Sequence, residues 1–453
     1  MATIISIPKN NRGDLGSEAN YRGIALSTSV GKLFDLIFIE RNVEKLCSSD
    51  LQFAYKRNHS TNMCTLIVKE IIKHYMNNGS NVYMCCLDAS QAFDKIRHDK
   101  LFEILIDRKI PPVDLRIILD LYARQRVRTT WLGEISSAFG ANNGIRQGGI
   151  SSPILFCCYM DLLISRLRDK GIGCWIGEHF CASVAYADDL TLLSPTAEGL
   201  QMLIDECEDY GREFGMTYNP RKSVCTLSSR GKTPSVDIKL NGNPLPWHKD
   251  VKHLGNFISH DLSEQCEISA KKSDLIGRVN TLVGNAPKVI DRRIIMSIFR
   301  SQCCHFYGVQ TWKLRGSHLK SFLTLWNRCV RRLCRLPPKT HCRFLPHIAE
   351  MQSPHDKICE LFLGLYACMT KSDNVLVKFI ATKGAGNMQT IIGDNLNYIR
   401  DYYGVTVSYL KLNSCVCSNE DFATIEAIKD IIDNRVLFAP DELLQFVNFL
   451  SYS

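Results

Sequence analysis

Apolar and polar residues follow one another along the chain in patterns that predict a mixed protein of helices and strands. Helical spacing of apolar residues is found over 65–76, 98–108, 113–123, 153–168 and 197–214. Runs typical of strands lie at 82–87, 126–132, 135–140, 183–187, 190–193, 224–227, 238–240 and 253–258. From about residue 263 the pattern is mainly helical, with helices predicted at 264–283, 291–308, 317–335 and 355–371. This change of pattern predicts a domain boundary near 260–270.

Composition adds that the chain is large enough to bury extensive cores. Of its 453 residues, 45% are hydrophobic and 22% are charged, which suits two to four folded domains. No apolar run is long enough to cross a bilayer, and the N-terminus lacks a signal-peptide pattern, so we expect an intracellular protein without a membrane partner. The 20 cysteines include adjacent pairs in apolar stretches, which favours buried thiols over disulfides or a zinc site.

Charge is distributed unevenly, and this changes the meaning of the net charge of +9. Residues 271–340 contain fifteen Lys and Arg against two Asp and Glu, a net charge of +13. Residues 1–270 are neutral, and 341–453 carry −4. We therefore expect a polyanion-binding face within 271–340, although a set of solvated helices is the alternative.

Three carboxylates stand where predicted strands end or turn. Asp88 follows the run 82–87, while Asp188 and Asp189 form the expected tip of a hairpin. Strand ends within one sheet can bring such groups together, and a hard divalent cation would offset their repulsion. An Asp pair in a turn is by itself more often a solvated turn, so its surroundings must decide.

Those surroundings resemble the ordered motifs of reverse transcriptases. The segments similar to motifs A to E are Leu87–Asp94 (LDASQAFD), Gly144–Phe156 (GIRQGGISSPILF), Ala185–Leu190 (AYADDL), Gly215–Ser223 (GMTYNPRKS) and His253–Gly255 (HLG). Upstream, Ile7–Lys9, Tyr21–Ile24 and Gln52–Thr61 resemble the fingers region of the same family. The forms of motifs A and B point to non-LTR (LINE-type) retrotransposons rather than retroviruses.

The resemblance implies a catalytic set. Asp88 and Asp188 would be the metal ligands of a site for two Mg²⁺ ions, with Mn²⁺ also possible, and Asp189 would complete the carboxylate group. Lys222 matches the lysine of motif D, which would donate a proton to the leaving pyrophosphate or stabilise its charge.

The resemblance also implies residues that bind the nucleotide. Arg22 and Lys9 would reach the triphosphate, while Gln147 and Gly148 would approach the incoming nucleotide and the template. Phe93 would exclude ribonucleotides by contact at the 2′ position of the sugar, with core packing as the alternative.

A third set would bind the template and primer. Tyr186 would support the primer or the core, and Leu254 with Gly255 would form a primer-grip hairpin. The expected contacts with the duplex backbone are arginines of residues 271–340, called the basic segment below. They are Arg292, Arg293, Arg328, Arg331, Arg332 and Arg335.

The predicted architecture is therefore α+β, a right-hand polymerase with fingers, a ferredoxin-like palm, a helical thumb and a helical C-terminal region. We place fingers and palm at 1–262, the thumb at 263–340 and a region of unknown role at 341–453. The implied partners are an RNA template, a DNA primer and dNTP, in the cytoplasm and the nucleus. A separate endonuclease is needed to supply the primer, so we expect a fragment of a longer element protein or a degenerate copy.

Alternatives remain at this point. A degenerate or domesticated descendant would bind RNA without polymerase activity, and an intron maturase or a viral RNA polymerase would share the general fold. The chain also departs from the family pattern at Gly23, where Pro is usual, at Tyr55, where Gly is common, and at Ser151, where Leu often stands.

Overall fold

The computed structural model describes residues 2–11, 13–131, 133–229, 236–286 and 291–404, so the last part of the predicted region 341–453 lies outside the described residues. The strands are β1 (Ala2–Pro8), β2 (Tyr21–Leu26), β3 (Val82–Leu87), β4 (Arg126–Trp131), β5 (Glu134–Ile135), β6 (Phe139–Gly140), β7 (Trp175–Ile176), β8 (His179–Phe180), β9 (Ser183–Tyr186), β10 (Asp189–Ser194), β11 (Val224–Ser228), β12 (Lys239–Leu240), β13 (Asn243–Pro244), β14 (Asp250–His253) and β15 (Asn256–Ser259).

The helices cover most of the remaining described chain. They are α1 (Ser29–Arg41), α2 (Thr61–Asn77), α3 (His98–Asp107), α4 (Pro112–Ala123), α5 (Ser152–Asp169), α6 (Ala197–Phe214), α7 (Gln265–Asn285), α8 (Arg292–Ile298), α9 (Ser317–Leu333), α10 (Leu345–Ile348), α11 (Pro354–Thr370), α12 (Val375–Ala385) and α13 (Ile391–Tyr403). None of the described helices is long and apolar enough to cross a membrane.

Contacts divide the chain into two compact units. The first contains the described residues of Met1–Ser60, Asn81–Leu227 and Lys232–His248, and the second contains those of Thr61–Ser80, Ser228–Gly231 and Lys249–Ser453. The predicted domain limits at 262 and 340 follow sequence motifs and charge rather than these contacts, and they stay a prediction.

A four-stranded sheet forms the centre of the first unit. Its strand order is β11-β3-β10-β9, with β10 antiparallel to both β3 and β9. The chain order β3-α5-β9-β10-α6-β11 is that of a ferredoxin-like β-α-β-β-α-β unit. α6 packs on β3 and β10, and α5 packs on β9. This sheet confirms the predicted α+β class and the ferredoxin-like palm.

Local sequence explains why α6 begins and ends where it does, at the predicted limits. The Thr196 side chain accepts the N–H of Gly199 at 3.1 Å and so satisfies one of the free donors of the first turn. Gly215 ends the helix with φ +74, a left-handed conformation in which glycine carries no steric penalty.

A second sheet of the first unit has the order β2-β1-β4-β5, and β6 also pairs with β4. β1 is antiparallel to β2 and parallel to β4. The strand predicted at 135–140 is therefore split into β5 and β6. Between them, the Ser136 hydroxyl accepts the N–H of Thr129 at 3.0 Å, so a side chain replaces a backbone group of the ladder.

The second unit contains α2, the β14–β15 hairpin and helices α7 to α13. α2 packs against α11, α12 and α13. Its buried acid Glu70 accepts the N–H of Ile392 at 2.7 Å, and burial raises the pKa of its carboxyl to about 7. Lys69 is also buried and lies 3.8 Å from Glu267.

Two predicted elements of this unit differ from the structure. The single strand expected at 253–258 is a hairpin, because Leu254 (φ +49) and Gly255 (φ +82) turn the chain between β14 and β15. The helix expected at 291–308 is α-helical only to Ile298, continues as a π-helical turn through Cys303 and then leaves helical geometry at Cys304 (φ −95, ψ 67).

Candidate active site

Asp88 lies directly after β3, and the segment just before β11 holds it in place. Its backbone N–H donates to the Ser223 hydroxyl at 3.1 Å, and its carbonyl accepts the N–H of Asn219 at 2.9 Å. The intervening turn brings the Lys222 Nζ to 3.8 Å from Asp88 Oδ2, with both side chains accessible to solvent. The structure therefore brings together the acid of motif A and the lysine of motif D.

Asp188 lies at the tip of the β9–β10 hairpin. Tyr186 pairs with Asp189, so the two residues of the turn are Ala187 and Asp188, and the predicted tip of Asp188 and Asp189 was wrong by one residue. Ala187 has φ +56, a left-handed conformation that costs a residue with a Cβ roughly 1–2 kcal/mol. This turn leaves Asp189 as the first residue of β10.

The strand register brings the three carboxylates together, because Leu87 pairs with Leu190 and so places Asp88 next to Asp189, the neighbour of Asp188. Burial raises the pKa of Asp188, Asp88 raises it further, and the positive charge of Arg22 opposes this shift. Desolvation, followed by repulsion from Asp188 and Asp88, raises the pKa of Asp189 to about 6. Asp88, Asp188 and Asp189 therefore form a carboxylate cluster whose negative charge is only partly offset by the protein.

The chemistry of this donor set fits a hard divalent cation. Among the described residues there is no group of three or more His, Cys, Asp and Glu side chains arranged to hold a metal ion by itself. Mg²⁺ usually takes only one or two carboxylates and completes its shell with water and substrate phosphates. Asp88 and Asp188, whose charges repel one another, would supply such a partial set.

Phe93 stands five residues after Asp88 and is half-buried. Its ring stacks on that of Phe156 in α5, with 4.4 Å between the ring centroids and 11° between their planes. Packing thus fixes one face of the ring, and the residue retains an accessible surface. Both expectations for Phe93, nucleotide contact and core support, are compatible with this position.

The motif B loop is tied to two neighbouring segments. Gln147 Nε2 donates to Asp94 Oδ1 at 3.3 Å, and the Gln147 carbonyl accepts the N–H of Ala25 at 2.6 Å. Gly148 has φ +109, and a Cβ there would lie 2.6 Å from the Ala25 carbonyl oxygen. Only glycine fits this conformation and this approach. Arg22 is three residues from Ala25 on β2 and is exposed.

Two acids near this loop were not predicted as site residues. Asp94 is the hydrogen-bond acceptor of Gln147, and its signal was its place within the motif A segment. Asp35 is 1% exposed in α1, and its Oδ2 accepts the N–H groups of Ile150 and Ser151 at 3.1 and 3.4 Å. The sequence feature that could have indicated Asp35 is a single acid between apolar residues of a helix.

Tyr55, a departure from the family pattern, has φ +58. A glycine would adopt this conformation without strain, which explains in physical terms why glycine is common there. Burial raises the pKa of the Tyr55 phenol, and Cys157, Asp188 and Tyr186 raise it further. Tyr55 therefore lies near the β9–β10 hairpin, in which the half-buried Tyr186 is the last residue of β9.

Leu254 and Gly255 belong to the second unit, at the tip of the β14–β15 hairpin. The Tyr307 hydroxyl hydrogen-bonds to the Leu254 carbonyl at 2.5 Å and to the Thr61 hydroxyl at 2.8 Å. A Cβ on Gly255 would lie 3.0 Å from the Tyr307 ring. This tyrosine therefore holds the tip of the hairpin.

The six predicted arginines also belong to the second unit and differ in what their side chains do. Arg292 and Arg293 begin α8, and Arg328 lies on α9, all three exposed. The other three are near the end of α9, in the order Arg331, Arg332 and Arg335. The Arg331 guanidinium donates twice to the Thr340 carbonyl, at 3.0 and 2.8 Å, and Arg332 donates to Asn280 Oδ1 at 2.6 Å. Arg335 adopts φ +52 just after the helix.

The sequence matches a known family over more than half of its length. Residues 7–258 match the family model described as "Reverse transcriptase (RNA-dependent DNA polymerase)". The chain is 24% identical over 332 residues to the "Retrovirus-related Pol polyprotein from type-1 retrotransposable element R2" of Nasonia vitripennis, covering 72% of this chain and 31% of that protein. It is 22% identical over 406 residues to the "RNA-directed DNA polymerase from mobile element jockey" of Drosophila melanogaster, covering 85% and 43%. The chain thus spans less than half the length of these curated relatives.

Among solved structures, the chain is similar to apo telomerase from Candida tropicalis, with 10% sequence identity and a TM-score of 0.42. The alignment covers 94% of this chain and 71% of the telomerase chain.

Proposed function

Because the chain belongs to the reverse transcriptase (RNA-dependent DNA polymerase) family, we propose that it extends a primer 3′-hydroxyl with deoxynucleotides along an RNA template. The family assignment and the non-LTR type predicted from the motifs are confirmed. The reaction, its RNA template, its DNA primer and its dNTP are proposed for this chain.

The carboxylate cluster is the observation that carries this proposal. In the reaction, the primer 3′-hydroxyl loses its proton to water, its oxygen attacks the α-phosphorus of the dNTP to form a P–O bond, and the bond to the pyrophosphate oxygen breaks so that pyrophosphate leaves. Divalent ions, proposed here as two Mg²⁺, would stabilise the charge on the attacking and leaving oxygens when bound. Asp88 and Asp188 would hold them, and Asp189 would add negative charge beside them.

Lys222 and Arg22 are suited to the leaving side of the reaction. The Lys222 ammonium lies 3.8 Å from Asp88 and is accessible, so it is placed to donate a proton to pyrophosphate or to stabilise its charge. Arg22 is exposed and lowers the pKa of Asp188 through its charge, and its guanidinium offers several donors to phosphate oxygens.

Motif B and Phe93 would shape the nucleotide site. The Gln147 amide is held by Asp94, and Gly148 lets the backbone approach closely, so both suit contact with the incoming nucleotide and the template. Phe93, braced by Phe156, would meet a ribose 2′-hydroxyl and so favour dNTP over rNTP.

The basic segment 271–340 would bind the template–primer duplex through its phosphates. The exposed residues Arg292, Arg293 and Arg328 suit this contact, and Arg332, Arg335, Tyr186, Leu254 and Gly255 are proposed with them from the family resemblance. Arg331 is left out of this set because its guanidinium is bound to the Thr340 carbonyl. We also propose a thumb at 263–340, fingers and palm at 1–262, action in the cytoplasm and the nucleus, and primer supply by a separate endonuclease activity. The intact carboxylate cluster gives no support to a decayed, RNA-binding descendant.

The test is primer extension on an RNA template with Mg²⁺ and dNTPs, comparing Asp188→Asn with Asp99→Asn. Asp99 is a surface acid of the same unit that pairs with Arg97 at 2.5 Å, so it is a matched control for loss of one carboxylate. We expect Asp188→Asn to lower the extension rate by about 1,000-fold, since it removes a metal ligand, and Asp99→Asn to leave it unchanged.

Two results would contradict the proposal. One is a rate for Asp188→Asn equal to that of the wild type. The other is a folded wild-type chain that incorporates no nucleotide at any salt concentration with either Mg²⁺ or Mn²⁺.

A further inference from the structure

Gln52 lies beside the catalytic hairpin of the first unit, although it is not among the predicted site residues. The segment Leu51–Phe53 runs alongside β9, where Phe53 donates its N–H to the Ala185 carbonyl and Ala185 donates its N–H to the Leu51 carbonyl, both at 2.8 Å. Gln52 itself is 0% exposed. A buried amide side chain is costly unless its donor and acceptor are both used, so the partners of Gln52 indicate what it does.

The Gln52 amide makes two hydrogen bonds to one residue, Ala187, in the turn between β9 and β10. Its Oε1 accepts the N–H of Ala187 at 2.9 Å, and its Nε2 donates to the Ala187 carbonyl at 3.3 Å. Oε1 also accepts the N–H of Ala54 at 3.1 Å, which fixes the amide relative to its own segment. Both backbone polar groups of Ala187 are therefore held by one side chain.

Ala187 is also the strained residue of the hairpin, with φ +56, and it directly precedes Asp188. A residue with a Cβ stays in this conformation only when its surroundings hold it there. Any relaxation of Ala187 would turn Asp188 away from its present position, where it feels the charge of Asp88.

We propose that Gln52 is a positioning residue, whose two hydrogen bonds to Ala187 keep Asp188 beside Asp88 in the geometry that divalent-cation binding requires. This inference rests on the proposed function, which assigns Asp188 to the metal. An amide is suited to this task because it offers an acceptor and a donor side by side. Methionine would fill a similar volume with neither group, and asparagine would carry the amide on a side chain one methylene shorter, too short to reach both groups of Ala187.

The test is a double-mutant cycle of Gln52→Met and Ala187→Gly in the full chain. Mn²⁺ is the probe, and its binding is measured by electron paramagnetic resonance with a dideoxy-terminated primer–template and dNTP, so that no turnover occurs. The kcat, the KM for dNTP and the thermal midpoint are measured in parallel. Because residues that orient a metal ligand typically change affinity or activity by 10- to 100-fold, we expect Gln52→Met to weaken Mn²⁺ binding and lower kcat by about that factor.

The Ala187→Gly substitution should partly restore Mn²⁺ binding to Gln52→Met, which would identify Gln52 as a positioning residue. Glycine adopts φ +56 without strain, so the double variant should bind Mn²⁺ more tightly than Gln52→Met alone. The KM for dNTP should change little in both. If Gln52→Met does not fold, Gln52→Asn takes its place, with the same expected loss of Mn²⁺ affinity.

Phe53→Leu is the matched control for a structural effect. Phe53 is fully buried in the same segment, and its ring contacts His59. This variant should lower the thermal midpoint and leave Mn²⁺ binding unchanged. Equal losses of Mn²⁺ affinity in Phe53→Leu and Gln52→Met, an unchanged affinity in Gln52→Met, or no rescue by Ala187→Gly would each overturn the inference. A wild-type chain that binds Mn²⁺ without extending primers would contradict the proposed function alone.

Discussion

The carboxylates of the first unit and the arginines of the second unit carry opposite charges and are also held in different ways. Asp188 sits in a strained turn whose backbone is hydrogen-bonded on both sides by Gln52. Arg293 and Arg328, in contrast, extend exposed side chains from helix surfaces. Asp188 thus has a fixed geometry, as the proposed reaction would require, whereas the two arginines have an accessible charge that would suit a phosphate backbone of any sequence.

The same contrast exists within the basic segment itself. Arg331 and Arg328 are one helical turn apart on α9, yet the Arg331 guanidinium is bound to the Thr340 carbonyl. A count of charges treats these two residues alike. Their contacts separate a side chain that stabilises the fold from one that is available to a partner.

The largest effect of fixed geometry in the first unit is expected at Phe93, in the preference for dNTP over rNTP. Replacing it by valine removes the ring that is proposed to meet a ribose 2′-hydroxyl. We expect Phe93→Val to reduce the preference for dNTP over rNTP by about 100-fold, the scale at which a shaped pocket discriminates small groups. The measurement is the ratio of kcat/KM for the matching dNTP and rNTP in single-nucleotide extension.

Phe102→Val is the control for this change, because Phe102 is another half-buried ring of the same unit that contacts Tyr122. It should keep the wild-type ratio. A wild-type ratio in a folded Phe93→Val chain would instead assign Phe93 to core packing against Phe156.

Much of the site could be predicted because its elements are specified locally. The apolar run of β3 ends at Leu87, so Asp88 is placed at a strand end by sequence alone, and α6 has its own capping residues. The shift of the hairpin tip was not predictable in this way. Two adjacent acids predict that a turn is present, but its exact position depends on the hydrogen-bond register of β9 and β10. That register pairs Tyr186 with Asp189.

Contacts distant in sequence account for what was missed. Gln52 reaches Ala187 across 135 positions, and Asp35 reaches Ile150 across 115. The sequence alone does not show which distant residue a buried polar side chain will bond to. The function of such a side chain can therefore be recognised only in the folded structure. The Thr340 carbonyl that binds Arg331 is only nine positions away, but every residue has a backbone carbonyl, so this acceptor has no signal in the sequence.

The arginines of α9 offer a direct test of the difference between exposed and bound charge. We expect Arg328→Ala to weaken binding of an RNA–DNA duplex by about tenfold at low salt and to lower the slope of log K against log salt by about 1, since one phosphate contact is lost. Its thermal midpoint should not change. The measurements are fluorescence anisotropy over a salt series and thermal denaturation.

Arg331→Ala should give the opposite pattern. It loses two charge-assisted hydrogen bonds to Thr340, so we expect the free energy of unfolding to fall by about 1.5–3 kcal/mol with a nearly unchanged salt slope. Equal salt slopes and equal thermal midpoints for the two variants would show that this division of the arginines is wrong.

The smallest effect concerns the stability of the carboxylate cluster without metal. The pKa of Asp189 is raised from 3.8 to about 6 in the folded chain, so the folded state binds this proton more tightly than the unfolded state. Its contribution to stability is therefore present below about pH 4 and is lost as the pH rises to about 6.

In EDTA at pH 7, Asp189→Asn should raise the free energy of unfolding by about 1 kcal/mol, a figure that allows for solvent screening of this exposed side chain. The difference should vanish near pH 4, and Asp205→Asn, which alters an exposed acid on α6, should show no such pH dependence. Loss of stability in Asp189→Asn at pH 7 without metal would mean that the cluster is held together by hydrogen bonds rather than strained by repulsion.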